Sequence, residues 1–185
     1  MDLASGLRKV ALMAAVCCLA SLCAGQSASV GGGAHADERE LSRKAFVKHR
    51  IRSIVQATLR EGEFTTPEGI GAVTRVPPSA GRIEEVKNLG EGAIPILSDY
   101  VASKSPREQE LAMRFLVAFG GEQIVEALGR FAKHSAFAMN RAQALQFLTQ
   151  GPPSKILPIV EDVSRTDPDP YVRKTALEVL AKLLQ

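Results

Sequence analysis

A repeat of 32 residues marks the C-terminal part of the chain. Three alanines mark it at equal spacing, Ala112, Ala144 and Ala176, and each is followed directly by Met or Leu and four residues later by Leu. A fixed period of roughly 20 to 50 residues is typical of architectures in which each unit buries its apolar side only against its neighbours. The sequence therefore predicts a stack of similar units.

The last unit has the clearest helix signals. The four residues 167–170, Asp-Pro-Asp-Pro, precede a run in which Val172, Ala176, Leu180 and Leu183 follow at helical spacing. An aspartate before a proline favours a helix start, because the carboxylate accepts hydrogen bonds from free backbone amides and proline has no amide to satisfy. A helix is therefore predicted from about Pro170 to the end of the chain.

The string Asp-Pro-Asp-Pro-x-Val-Arg-x-x-Ala-Leu-x-x-Leu in residues 167–180 resembles the first helix of HEAT-type repeats. It is most similar to the short variety that also occurs in phycobilin lyases. The resemblance implies an all-α fold, an α-solenoid of stacked helical hairpins forming a HEAT-like superhelix over residues 80–185. Arg141 keeps the pattern one unit earlier, whereas Gln109 replaces the arginine in the earliest clear unit. That replacement leaves open whether the polar ladder common in the family continues between the repeats.

Second helices alternate with the first ones at the same period. We expect a divergent pair at about 80–102, full pairs at about 106–133 and 136–164, and a last helix without a second partner. The apolar side of this last helix, with Leu177, Leu183 and Leu184, is then left uncovered. It is a candidate site for self-association or for docking of a partner.

The residues before the repeats divide into four segments. Residues 1–25 are typical of an export signal peptide, since two basic residues precede an apolar run and a small-x-small cleavage site. The predicted segments after it are a flexible tether (26–36), an amphipathic basic helix that could cap the repeats (37–60) and a loop rich in Gly and Pro (61–79). Export would place the protein in the periplasm or outside the cell, and would remove all three cysteines, which lie within residues 17–23.

The chain offers no pattern that indicates catalysis, a cofactor or a metal site. The three histidines, His35, His49 and His134, have no companions at ligand spacing, and no nucleophile motif or phosphate-binding glycine loop occurs. A formal charge of +3 over 185 residues does not indicate a nucleic-acid partner. The basic cluster 48–52 is interpreted as the solvated side of a helix docked on the repeats, so strong membrane binding is not expected.

The polar positions of the second helices are the candidate contact residues for a partner. They are Asp99, Arg130, Asp162, Gln123, Glu126 and Lys155. We expect a non-catalytic scaffold that binds a protein or a peptide in the cell envelope, since such positions on a regular helical array vary without affecting the core. Two alternatives stay open: a lyase-like or isomerase-like repeat component, and a membrane-surface adaptor that acts through the basic helix.

Overall fold

The computed structural model describes residues 32–61 and 77–185, and within these residues the chain is all-helical with no strand. The predicted signal peptide, the start of the tether and most of the predicted loop lie outside the described residues. The helices are α1 (Gly32–Glu61), α2 (Ala80–Lys87), α3 (Ala93–Ser98), α4 (Pro106–Phe119), α5 (Gln123–His134), α6 (Ala138–Leu148), α7 (Pro153–Thr166) and α8 (Pro170–Leu183), with a short 3-10 turn (Asp99–Ala102) after α3. None of the described helices is long and apolar enough to cross a membrane.

Helix α1 is longer than the sequence predicts. It begins at Gly32 rather than near Asp37, so residues 32–36, which were assigned to the tether, are helical. The reason is that extending a formed helix adds one hydrogen bond for each residue fixed, and Ala34 and Ala36 are strong helix formers. From Asp37 to Phe46 every side chain of α1 is exposed, and burial starts only at Val47.

The remainder of α1 packs into the unit formed by residues 39–185. Ile51, Ile54 and Val55 are at most 2% exposed and belong to the common core. Its polar side is bonded to α2, because Arg50 Nη2 lies 2.5 Å from the Glu85 carboxylate. One of the basic residues expected to be merely solvated therefore holds α1 against the first repeat.

Helices α2 to α8 lie where the sequence places the helix pairs, and they pack in two series. The first helices of successive pairs contact one another, α2 with α4, α4 with α6 and α6 with α8. The second helices do the same, α3 with α5 and α5 with α7, and helices that follow each other also pack, as in α5 with α6 and α7 with α8. The packing order thus follows the 32-residue period.

The residues that define the period lie in the interior. Ala112, Ala144 and Ala176 are completely buried, and so are Met113 and Leu145 directly after the first two. Alanine at these positions lets neighbouring helices approach closely, because its side chain adds only one carbon atom beyond the backbone. The predicted capping residue Asp169 is confirmed, since its carboxylate accepts from the amide of Tyr171 at the start of α8.

A polar ladder does continue between the repeats. At the position where the pattern calls for arginine, Gln109 donates to the carbonyl oxygens of Val101 and Ser103 at 2.9 and 2.8 Å. Its own amide oxygen accepts from the hydroxyl of Ser135 and from Asn140. Glutamine therefore replaces arginine as a donor to the preceding loop and adds an acceptor for the next one.

The same position in the next unit is Arg141, and its guanidinium is almost fully buried. It donates to the Ser135 carbonyl at 3.0 Å and binds both carboxylate oxygens of Asp167, with Nε at 2.7 Å and Nη2 at 2.9 Å. One unit further, Arg173 donates to the carbonyl oxygens of Asp167 and Pro168. Three residues at equal spacing thus fix the loops that precede α4, α6 and α8.

Candidate partner-binding face

The second helices, α3 with its 3-10 turn, α5 and α7, carry the six predicted contact residues. We call the surface formed by their polar side chains the second-helix face. Asp162 is half-buried and the other five, Asp99, Arg130, Gln123, Glu126 and Lys155, are exposed. Five of the six bind a side chain on a neighbouring element, and Glu126 lines a cleft.

Arg130 joins α5 to the preceding pair. Its guanidinium donates to the hydroxyl of Ser98 at 3.0 Å and lies 3.8 Å from the Asp99 carboxylate. Two residues that the sequence places at equivalent positions are therefore partners of each other. Their periodic spacing brings them together, because α3 and α5 are neighbours.

Asp162 on α7 binds Lys133 on α5, with 2.6 Å between Nζ and Oδ2. This hydrogen bond, with the charge of the ammonium group, lowers the pKa of Asp162 below its ordinary value. Lys133 is not among the predicted contact residues. It lies in the last turn of α5, where a cation also interacts favourably with the free helix carbonyls.

The other ends of α5 and α7 are joined in the same way. Lys155 pairs with Glu122, and Gln123 donates to Glu91 at 3.2 Å. Glu122 and Glu91 both lie in the turns that precede a second helix, where the sequence predicts only connections. The second-helix face thus carries side-chain pairs that join two neighbouring elements, which we call crossed pairs, at both ends of each second helix.

Clefts open between these pairs. A cleft of about 540 Å³ between α5 and α7 is lined by Gln123, Glu126 and Lys155, with Ile159 at its apolar side. Three of the predicted contact residues therefore share one concave site. Among the described residues Glu126 has no ion-pair partner, and its exposed carboxylate faces the solvent in this cleft.

Two further clefts hold the remaining carboxylates of the face. Asp162 and Lys133 line one of about 300 Å³ beside the buried Arg141–Asp167 pair. Asp99 and Tyr100 line another of about 390 Å³, which is bordered on the side of α1 by Lys48 and Arg52. Burial and the nearby Glu108 carboxylate raise the pKa of Tyr100, so its hydroxyl keeps its proton and can donate a hydrogen bond at neutral pH.

The described residues hold no group of three or more His, Cys, Asp or Glu side chains placed to bind a metal ion. His49 and His134 are both exposed. The chemistry available on the second-helix face is that of exposed carboxylates, ammonium and guanidinium groups beside small apolar surfaces. Such surfaces are suited to reversible polar contacts with another chain.

No protein-family model matches the chain, and neither the curated proteins nor the solved structures contain a match to it.

Proposed function

We propose that the protein is an exported, HEAT-like α-solenoid that binds a protein or a peptide on its second-helix face and catalyses no reaction. The observation that carries the proposal is the row of clefts and crossed pairs along α3, α5 and α7. In this proposal α1 is the cap of the N-terminal end, and α8 is the first helix of the repeat that begins at Pro170.

The order of helix contacts supports the solenoid. A solenoid requires each unit to touch its neighbours in two layers, one of first helices and one of second helices. The contacts of α4 with α6 and α6 with α8, and of α3 with α5 and α5 with α7, follow this order. The ladder at positions 109, 141 and 173 repeats with the same period of 32.

The crossed pairs support a binding role because they are weak and exposed. Lys155 and Glu122 are 56% and 57% exposed, and pairs of this kind contribute only about 0 to 1 kcal/mol to stability. A partner can therefore replace one member of a pair by its own charged group at little cost. A peptide with charges of both signs and an apolar side chain for the region of Ile159 fits the cleft between α5 and α7.

The first test is photo-crosslinking in cells that export the full chain. A photoreactive residue at Glu126 lies on the second-helix face, and one at Gln146 lies at an equally exposed position on the first helix α6. We expect a discrete crosslinked species with Glu126 and none with Gln146. Crosslinks only at Gln146 would place the contact on the opposite layer, and the proposed face would be wrong.

The second test reverses the charges without breaking the pairs. In one variant Asp99→Arg is combined with Arg130→Asp, and in another Lys133→Asp is combined with Asp162→Lys. Each variant keeps an ion pair between the same two helices, so its melting temperature should stay within about 2 °C of the parent, given what exposed pairs contribute. We expect at least tenfold weaker capture of the crosslinked partner, and unchanged capture would remove these pairs from the contact.

Export has its own test. N-terminal sequencing of the protein purified from the envelope fraction should give Gln26 as the first residue. A chain that starts at Met1 in the cytoplasm would contradict the location while leaving the binding face untested, and the crosslinking would then be repeated with cytoplasmic proteins.

A membrane-surface role remains the second candidate because of one observation on α1. The exposed segment from Asp37 to Phe46 carries Leu41 and Phe46, 65% and 59% exposed, beside three basic and three acidic residues. Exposed apolar groups beside basic ones are typical of helices that bind anionic lipid surfaces. Co-sedimentation with anionic vesicles that falls with added salt and is lost in Phe46→Ala would favour this candidate over the scaffold.

A further inference from the structure

We propose that the cleft between α1 and the 3-10 turn binds a carboxylate group of a peptide, held by the side chains of Lys48 and Arg52. The inference rests on the proposed function, because this cleft is one of those along the second-helix face. It adds the charge of the group that the partner brings there, and it makes α1 part of the contact. The volume of about 390 Å³ lies in the range of ligand sites in proteins, roughly 300 to 1,000 Å³.

The two cations lie one turn apart on the same side of α1. Lys48 and Arg52 are separated by four residues, and both are exposed and line the cleft. Among the described residues neither side chain has a carboxylate partner, whereas Arg50, between them, is paired with Glu85. Like charges at this spacing repel each other, so an anion that both side chains reach relieves a repulsion in addition to its own attraction.

The two carboxylates that line the cleft bind elsewhere. Both oxygens of Glu108 accept hydrogen bonds from neutral groups, one from the amide of Gln56 at 2.8 Å and one from the hydroxyl of Ser103. The carboxylate of Asp99 lies 3.8 Å from the guanidinium of Arg130 on α5. The cations that α1 brings to the cleft therefore keep their charge available for a ligand.

Tyr100 adds a neutral donor to the same cleft. Burial and the Glu108 carboxylate raise the pKa of its phenol, while the Arg52 guanidinium lowers that pKa by a smaller amount. The hydroxyl therefore keeps its proton and lies within the electrostatic reach of Arg52. A carboxylate held by Arg52 can accept a further hydrogen bond from Tyr100, and hydrogen bonds to a charged group are among the strong ones.

The balance of charges favours a ligand group with a single negative charge. The lining holds the two cations of α1 and two carboxylates, Asp99 and Glu108. A phosphate group, with its second negative charge, is repelled by these carboxylates more strongly than a carboxylate is. Ile96 and Ala102 give the cleft an apolar side, and a peptide carries side chains within a few bonds of each carboxylate. A peptide therefore fits this lining better than an inorganic anion.

The test uses the purified full chain and three peptides of nearly the same shape. Acetyl-Asn-Leu has a carboxylate at its chain end, acetyl-Asp-Leu-amide has one in a side chain, and acetyl-Asn-Leu-amide has none. Binding is followed by the NMR signal of the Arg52 Nε–H group, which is assigned by its loss in Arg52→Gln. We expect at least one carboxylate peptide to shift this signal saturably and to bind at least tenfold more tightly than the uncharged peptide. The tighter of the two shows whether the group comes from a chain end or from a side chain.

Two variants test the cations one at a time. Lys48→Gln and Arg52→Gln should each weaken binding of the tighter peptide at least fivefold. Glutamine is a good helix former and each change removes a like-charge contact, so the circular dichroism of both variants should match that of the parent. The matched control is Arg43→Gln, which removes the same charge from an exposed position of α1 outside the cleft lining and should bind like the parent.

Four results would overturn the proposal. They are the absence of binding by both carboxylate peptides, equal binding of charged and uncharged peptides, equal weakening by Arg52→Gln and Arg43→Gln, and displacement of the peptide by inorganic phosphate at a lower concentration than the peptide's own. The last result would assign the cleft to phosphate groups. None of these results affects the crosslinking at Glu126, which lies in the cleft between α5 and α7, so a failure here is distinguishable from a failure of the second-helix face.

Discussion

Replacing Asp167 by alanine should destabilise the protein more than any change on its exposed ion pairs. Asp167 is in the loop before α8 and its side chain is 4% exposed, and that of its partner Arg141 is 10% exposed. The carboxylate accepts two hydrogen bonds from Arg141 and one from the amide of Asp169. Alanine removes all three acceptor contacts and leaves the guanidinium enclosed without its counter-charge.

The magnitude follows from that enclosure. Removing one partner of a buried ion pair costs about 3 to 5 kcal/mol, because the charge that stays behind has lost its solvation and its pair. Arg141 keeps one bond, to the Ser135 carbonyl, which places our expectation for Asp167→Ala near 3 kcal/mol at the lower end of this range. Asp167→Asn keeps one oxygen acceptor and the shape, so its expected cost is about 1.5 to 3 kcal/mol.

Urea denaturation followed by circular dichroism measures both values. The matched control is Glu122→Ala, which breaks the pair with Lys155 at a site where both side chains are more than half exposed and should cost less than about 1 kcal/mol. Arg141→Met combined with Asp167→Leu removes both charges, and we expect it to recover much of the loss of Asp167→Ala. A cost below about 1 kcal/mol for Asp167→Ala, or equal costs for Asp167→Ala and Glu122→Ala, would refute the reasoning.

Three further predictions concern pH, close packing and the ladder. Burial raises the pKa of Asp167, but the Arg141 guanidinium and a backbone amide outweigh it and leave that pKa below its ordinary value. The stability that this carboxylate contributes is therefore complete above its unfolded pKa of about 3.9 and is lost as the pH falls through its pKa in the folded protein. Acid titration below about pH 4 should therefore destabilise the parent more than Asp167→Asn. Gly151→Ala places a methyl carbon 2.6 Å from Val125 Cγ2, and valine is stiff at χ1. The melting temperature should therefore fall by an amount equivalent to about 1 to 3 kcal/mol. An unchanged melting temperature would show that α5 and α7 can shift apart at little cost. Gln109→Ala leaves two loop carbonyls without their donor and should cost about 1 to 3 kcal/mol in urea, and a neutral result would contradict the structural role of the ladder.

The period in the sequence predicts much of the helix layout, because the signals involved are local. Proline at the first helical position places the starts of α4 and α8, and Gly120 ends α4 with a φ of 66°, a conformation that other residues rarely adopt. These signals depend on backbone chemistry within a few residues. Such local signals do not predict the early start of α1 at Gly32, because glycines ahead of a helix indicate a tether as readily as a first turn.

The contacts between helices could be predicted only in part. The 32-residue period brings the polar positions of α3, α5 and α7 to one surface, and Asp99 and Arg130 do meet there. The partners Lys133, Glu122 and Glu91 were missed: they bond residues 29, 33 and 32 positions later, so the period alone does not select the partners. Such pairs form only where the side chains are long enough to span the groove between two helices, and a sequence pattern does not contain that information.

The central claim, that the repeats form an open stack, is tested most directly by distances between spin labels at one and two periods. Arg114, Gln146 and Glu178 lie on α4, α6 and α8 at equal sequence spacing and are partly or fully exposed. Packed helices lie about 8 to 10 Å apart, so in a stack the label pair 114/178 should be roughly 20 Å apart, about twice the distance of 114/146 or 146/178. A 114/178 distance no longer than the single-step distances would show a closed bundle and contradict the stack.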